Sequence, residues 1–192
     1  MELQTQPQPR NQAPSATTNP LGSSYVEIQS ITPTRGKIEV VVRFPSGAVH
    51  TGELPGFAES LAESLPSILS TRCHSGSDGF FAAELPHTET GHVLEHAILA
   101  YLERDGLRCR AVTEWNWRRE PWGTFHIAIF GRQIGLSETL EALRKAVVVV
   151  ESSISQSLNS CLSTLGVVEP AGLNRYQLEP GMLQGGEDPE HT

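Results

Sequence analysis

The alternation of apolar and polar positions predicts strands in two parts of the chain. Residues 25–31 and 37–44 alternate with a period of two, as strands with one buried face do. Residues 48–54 follow a Pro-Ser-Gly turn and are expected to return as a third strand. Further along, residues 107–117 and 124–130 predict a second hairpin. The sheet is therefore expected to be mixed or antiparallel.

Three segments have apolar residues at helical spacing and predict helices. The first covers residues 57–64, the second begins at Gly91 and ends near Arg104, and the third runs from near Ser137 toward Ser157. The second has the clearest pattern, with apolar positions at Val93, Leu94, Ala97, Ile98 and Tyr101. Hairpins interspersed with helices, without regular strand-helix-strand units, predict an α+β fold with the helices packed on one face of the sheet.

Composition divides the chain into one domain and two tails. Residues 1–24 are rich in Gln, Pro, Asn, Ser and Thr, and residues 167–192 are rich in Gly, Pro and acidic residues. Such segments cannot bury enough apolar surface to offset the entropy of ordering. We therefore expect a disordered leader at 1–24, a single domain at 25–166 and a flexible C-terminal tail at 167–192.

Charge and cysteine content exclude several classes of partner. The formal net charge is -8 at pH 7, whereas a nucleic-acid partner requires clustered Lys and Arg. No apolar run reaches the length of about 18 residues that predicts a membrane-spanning helix, and the N-terminus lacks the apolar core of a signal peptide. Three cysteines without close spacing favour a reducing compartment. We expect a cytoplasmic protein that binds neither nucleic acid nor membranes.

The second predicted helix contains a His-x-x-Glu-His sequence at residues 92–96. A separation of four residues places His92 and His96 on one helix face, so two imidazole nitrogens can share one metal ion. Glu95 borders the same face and can reach a water on that ion. Zinc lowers the pKa of such a water, and a neighbouring carboxylate can take its proton and later deliver it to a leaving amine. The spacing predicts a zinc-dependent hydrolase of peptide or isopeptide bonds, with Glu95 as the catalytic base.

A catalytic zinc ion normally has three protein ligands, so a third residue is required. Glu114 is the first candidate, because a carboxylate near the end of the strand after the helix is expected to project over the helix. Four further candidates stay open: His126 on the neighbouring strand, and Glu138, Glu141 and Glu151 on the last helix.

Each of these features also has a simpler interpretation. His92, Glu95 and His96 can form the solvated face of an amphipathic helix. Cys73 and His74 lie in a loop rich in Gly and Ser, where a surface or structural cysteine is expected rather than a nucleophile or a metal ligand. The three tryptophans of the second hairpin favour local core or an interface patch over a platform for stacking bases.

Several short segments, in this order and spacing, resemble a known family. They are Leu54-Pro55-Gly56-Phe57, Leu65-Pro66, Cys73 with Gly76, Gly79-Phe80-Phe81 and Gly91-His92-Val93-Leu94-Glu95-His96-Ala97. Together they resemble the N-terminal domain of cyanophycin synthetases over about residues 54–143. The resemblance implies a domain that, in some members, binds zinc through the His-x-x-Glu-His helix and cleaves cyanophycin, a polymer with an Asp backbone and Arg side chains.

The resemblance also implies roles for individual residues. His92 and His96 would be zinc ligands, and Glu95 the catalytic carboxylate. The expected partner is a peptide or a cyanophycin-like polymer, and a homo-oligomer is expected as well. An acidic protein suits a substrate that carries Arg side chains.

Two departures from the family pattern define the competing hypothesis. The chain has no phosphate-binding loop, so we expect only the front module of a synthetase and no synthetic activity. The family tends to carry a Glu on the strand that here contains His126, Ala128 and Phe130, and its loss would alter a zinc site that depended on it. The alternative function is therefore a catalytically inactive binding or regulatory module that retains the fold.

Overall fold

The computed structural model describes residues 25–73 and 79–164. The expected leader and the expected C-terminal tail lie outside these residues, and so does His74. Within them, one antiparallel sheet of four strands packs with three α-helices. This arrangement confirms the predicted α+β class.

The sheet is built from neighbouring strands that all run antiparallel. β1 (Glu27–Thr34) and β2 (Lys37–Arg43) form a hairpin, and β2 also pairs with β4 (Thr124–Phe130). β3 (Arg110–Glu114) pairs with the other side of β4, so the strand order is β1-β2-β4-β3. The alternating residues of β2 and β4 that face the core are Ile38, Val40, Val42, Phe125, Ile127 and Ile129. One face of the sheet is therefore buried, as the period-two pattern predicts.

The helices form a layer over this buried face. α2 (Thr90–Arg104) packs against β3, β4 and α3 (Leu136–Thr164), and α1 (Phe57–Ser64) packs against α3. The observed bounds of α2 differ by a single residue from those expected. None of the helices in the described part of the chain is long and apolar enough to cross a membrane.

Residues 48–54 do not form the third strand that was expected after the Pro-Ser-Gly turn. Instead, Thr51–Glu53 makes a single 3-10 turn, and the side chain of His50 accepts a hydrogen bond from the backbone N–H of Gly52 at 3.1 Å. The hydroxyl of Thr51 donates to the backbone oxygen of Thr88 at 3.1 Å. The expectation was wrong because these side-chain contacts satisfy the backbone locally and tie the segment to the chain just before α2.

α2 is buried on all sides over most of its length. Every residue from Thr90 to Ala100 is buried. Gly91 allows the helix to approach the sheet closely, because a Cβ at this position would lie 2.2 Å from Cγ of Phe125. The helix therefore lies inside the domain rather than on its surface, and the interpretation of residues 92, 95 and 96 as a solvated face is wrong.

Candidate metal centre

Two imidazole rings of α2 converge inside the domain. His92 is 8% exposed and His96 is 0% exposed. Their Nε2 atoms lie 3.2 Å apart. The separation of four residues brings both rings to one side of the helix, and the burial of that side keeps the nitrogens out of bulk water.

A third potential ligand comes from Cys73, which the sequence interpretation assigned to the surface or to a structural role. Its side chain is 2% exposed, and its Sγ lies 3.4 Å from Nε2 of His92. The Sγ and one ring nitrogen each of His92 and His96 lie within 4.8 Å of one another. Cys73 is held there because its backbone N–H donates to the oxygen of Gly79 at 3.1 Å. Cys73 is therefore not a surface cysteine, and that half of the expectation was wrong.

The donor set and two of its three separations fit a zinc ion. Zinc bonds of about 2.0 Å to nitrogen and about 2.3 Å to sulfur, at tetrahedral angles, place two nitrogens about 3.3 Å apart and a nitrogen and a sulfur about 3.5 Å apart. The corresponding distances are 3.2 Å between the two imidazoles and 3.4 Å between His92 and Cys73. Two imidazoles and a thiolate are ligands that zinc prefers, and three of them leave a fourth position for water or substrate.

Threonine hydroxyls hold the opposite nitrogen of each ring. The hydroxyl of Thr71 donates to the backbone oxygen of Ile68 at 2.7 Å, so it accepts from Nδ1 of His96 at 2.8 Å. His96 is therefore protonated at Nδ1, and in the neutral ring the lone pair that a metal needs is on Nε2. Nδ1 of His92 contacts the hydroxyl of Thr88 at 2.9 Å. These contacts orient both rings toward Cys73.

An aromatic side chain fixes the ring planes. Phe81 stacks on His96 with ring centroids 3.8 Å apart and planes inclined by 12°. It also meets His92 edge to face at 5.2 Å. Since Phe81 is itself fully buried, it restricts rotation of both imidazoles.

Glu95 lies on the same helix with its carboxylate held by β3. The side chain is 4% exposed, and it accepts hydrogen bonds from the hydroxyl of Thr113 at 2.7 Å and from the backbone N–H of Thr113. Burial raises the pKa of Glu95 from 4.5 to about 7, and it outweighs the lowering effect of those hydrogen bonds. A carboxyl group with this pKa can both accept and release a proton near neutral pH.

His92 and Glu95 line one pocket of about 380 Å³. One wall is the strand β3 with Trp115, and the other is the segment from Glu84 to Glu89. Burial lowers the pKa of His92, although the negative charges of Glu84 and Glu89 oppose that change. His92 is therefore favoured in the neutral form that can bind a metal.

The structure does not bring Glu114 to the two histidines. Thr113 faces α2, and successive residues of a strand point to opposite faces of the sheet. Glu114 is thus on the far face, where it is exposed and pairs across the strands with His126. The sequence interpretation expected Glu114 to project over the helix, but the residue of β3 that contacts α2 here is Thr113.

The other candidates for a third ligand also make contacts elsewhere. His126 lies on the far face of the sheet, 2.8 Å from Glu120. Glu151 accepts hydrogen bonds from the backbone N–H groups of Tyr25 and Val26, at 2.8 and 2.9 Å. On α3, Glu141 lies 3.2 Å from Lys145, and Glu138 is exposed.

Comparison with known proteins identifies the family. A search of curated proteins found no match. The sequence model described as cyanophycin synthase-like N-terminal domain matches residues 38–155. The match includes α2 and all of the sheet except β1 and the first residue of β2, and it confirms the resemblance seen in the short segments. Because it covers more than half of the chain, this protein belongs to the family of cyanophycin synthase-like N-terminal domains.

Proposed function

We propose that this protein is a zinc-dependent hydrolase of peptide or isopeptide bonds, with Cys73, His92 and His96 as the zinc ligands. The observation that carries the proposal is the convergence of the buried Cys73 with two histidines of α2, the helix whose Glu95 lines the same pocket as His92. Cys73 takes the role first considered for Glu114, which lies on the other face of the sheet.

Zinc in this position would supply a Lewis acid that polarises a carbonyl group and makes water more acidic. Glu95 takes a proton from the water as its oxygen bonds to the carbonyl carbon. It then returns that proton to the nitrogen as the C–N bond breaks, which yields a carboxylic acid and an amine. Thr71 keeps His96 in the tautomer that binds a metal through Nε2, and Thr88 orients the ring of His92.

The charge of the pocket supports a cationic substrate. Glu84 and Glu89 line it together with the proposed catalytic Glu95, and the whole chain carries a net charge of -8. A peptide or cyanophycin-like polymer with Arg side chains fits this charge. A thiolate ligand requires reduced Cys73, which supports a cytoplasmic location. The expected homo-oligomer stays a prediction.

The decisive experiment measures zinc and hydrolysis in matched variants. Purified wild-type protein is expected to contain about one zinc per chain by mass spectrometry, and Cys73→Ser is expected to bind zinc more than about 100-fold less tightly. Cys161→Ser is the matched control, because that thiol is partly exposed near the end of α3. Glu95→Gln should keep its zinc and lose about 100- to 10,000-fold in the rate of cyanophycin hydrolysis.

Two results would contradict the proposal. Equal trace amounts of zinc in the wild type and in Cys73→Ser would show that these residues do not form a zinc site. Zinc with no hydrolysis of cyanophycin or Arg-containing peptides would favour the non-catalytic binding module or a purely structural ion. A structural ion would also show as a lower melting temperature after chelation without any loss of substrate affinity.

A further inference from the structure

The strand β3 is at the edge of the sheet and runs beside the proposed active site. It pairs with β4 on one side, and no other described strand pairs with its second side. Residues Ala111, Val112 and Thr113 of β3 form one wall of the pocket that His92 and Glu95 line. An unpaired strand edge presents backbone donors and acceptors at fixed spacing.

The pairing register shows which backbone groups of β3 point outward. The N–H of Phe44, directly after β2, donates to the oxygen of Gly123 at 3.0 Å, and the alternation of the ladder then directs the backbone of Ile127 toward β2. Thr113 lies opposite Ile127 and therefore directs its N–H away from β4. In an antiparallel pair, a residue directs both its N–H and its C=O either toward the partner strand or away from it, and the direction alternates along the strand. The N–H and C=O of Ala111, and the C=O of Thr113, are therefore on the open side with the pocket.

We infer that β3 binds the main chain of an extended peptide as a fifth strand, and that this pairing delivers the scissile carbonyl to Glu95. The inference rests on the proposed function and specifies how its substrate is held. An added strand would exchange two hydrogen bonds with Ala111 and donate one to the C=O of Thr113. Because Glu95 takes the N–H of Thr113, the next carbonyl of the peptide finds no donor on β3 and lies in the pocket between Glu95 and His92.

The register explains why pairing would stop at the reacting bond. A continuous ladder of hydrogen bonds would next use the outward N–H of Thr113, but Glu95 already accepts from that group. The hydrogen bonds to the substrate therefore end next to the catalytic carboxylate. Side chains of the bound strand would alternate between α2 and the far face of the sheet. The opposite wall carries Glu84 and Glu89, which favours a cationic side chain on the pocket side.

The test uses a fluorescein-labelled octapeptide of alternating Thr and Arg, scanned with N-methyl groups. N-methylation removes one N–H of the peptide at a time. We expect binding to the wild type, measured by fluorescence anisotropy with a chelator present, to weaken by about 3- to 10-fold when a pairing N–H is lost. Methylation of the intervening residues, which are the matched controls, should change the dissociation constant less than twofold.

A protein variant tests the same contact from the other side. Ala111→Pro removes the outward N–H, and because that group makes no bond to β4, the ladder of the sheet is kept. We expect weaker binding of the octapeptide, with Ala111→Gly, which retains the N–H, near the wild-type value. If circular dichroism shows that Ala111→Pro is unfolded, the scan on the wild type decides.

The outcomes separate this inference from the proposed function. Loss of affinity with a period of two supports edge pairing, even in a protein that never hydrolyses the peptide. Equal tolerance of N-methylation at every position overturns edge pairing, even if zinc-dependent hydrolysis is observed. A failure to bind the octapeptide at millimolar concentration also overturns it.

Discussion

Replacing Glu95 with glutamine should change the pH dependence of stability in the metal-free protein. The carboxyl group is 4% exposed, and burial raises its pKa from 4.5 to about 7. Below pH 4.5 the group is protonated in both the folded and the unfolded state. Between pH 4.5 and about 7 the unfolded state has lost this proton while the folded state keeps it, so stability falls as the pH rises through this interval.

The size of the effect follows from the two pKa values. Each tenfold change in an acid dissociation constant corresponds to about 1.4 kcal/mol, so a rise from 4.5 to about 7 corresponds to about 3 kcal/mol. Glutamine has no such ionisation and can still accept from Thr113. Relative to the wild type, Glu95→Gln is therefore expected to gain about 3 kcal/mol in the free energy of unfolding between about pH 4.5 and pH 8.

Urea unfolding in the presence of a chelator, followed by circular dichroism across this pH range, measures the difference. The comparison between the two proteins cancels the opposite contribution of His92, whose lowered pKa costs stability as the pH falls below 6.5. Glu138→Gln controls for the loss of one negative charge at an exposed position. A difference between wild type and Glu95→Gln that stays constant with pH would refute a carboxylate buried in this way.

Two further substitutions test the support of the metal centre and the packing of α2. Thr71→Val removes the hydroxyl that accepts from Nδ1 of His96, and it should weaken zinc binding by about 10- to 100-fold in a chelator competition. Ser70→Ala removes an exposed hydroxyl and should leave zinc affinity unchanged. Equal zinc affinities of Thr71→Val and the wild type would contradict the orienting role of Thr71. Gly91→Ala should lower the free energy of unfolding by about 1–3 kcal/mol, because the new methyl group would meet the buried ring of Phe125, and an unchanged urea midpoint would show that the helix can move away.

Features that depend on neighbouring residues were predictable from the sequence. The bounds of α2 and β4 agree with the apolar periodicity to within a residue, because the period of a helix or strand is set by backbone geometry. The convergence of His92 and His96 depends on the same local geometry. Residues 48–54 follow a turn and were expected to return as a strand, but contacts to the chain before α2 stabilise a 3-10 turn there instead.

The tertiary structure alone decided which other side chains join the two histidines. Cys73 lies 19 residues before His92 in the sequence, and only the path of the chain between α1 and α2 brings its sulfur to the imidazoles. The register of pairing between β3 and β4 decides which side chains of β3 face α2. A shift of one residue would turn Glu114 toward α2 in place of Thr113. Spacing along a chain encodes one helix face, whereas a site assembled from separate segments depends on how those segments pack.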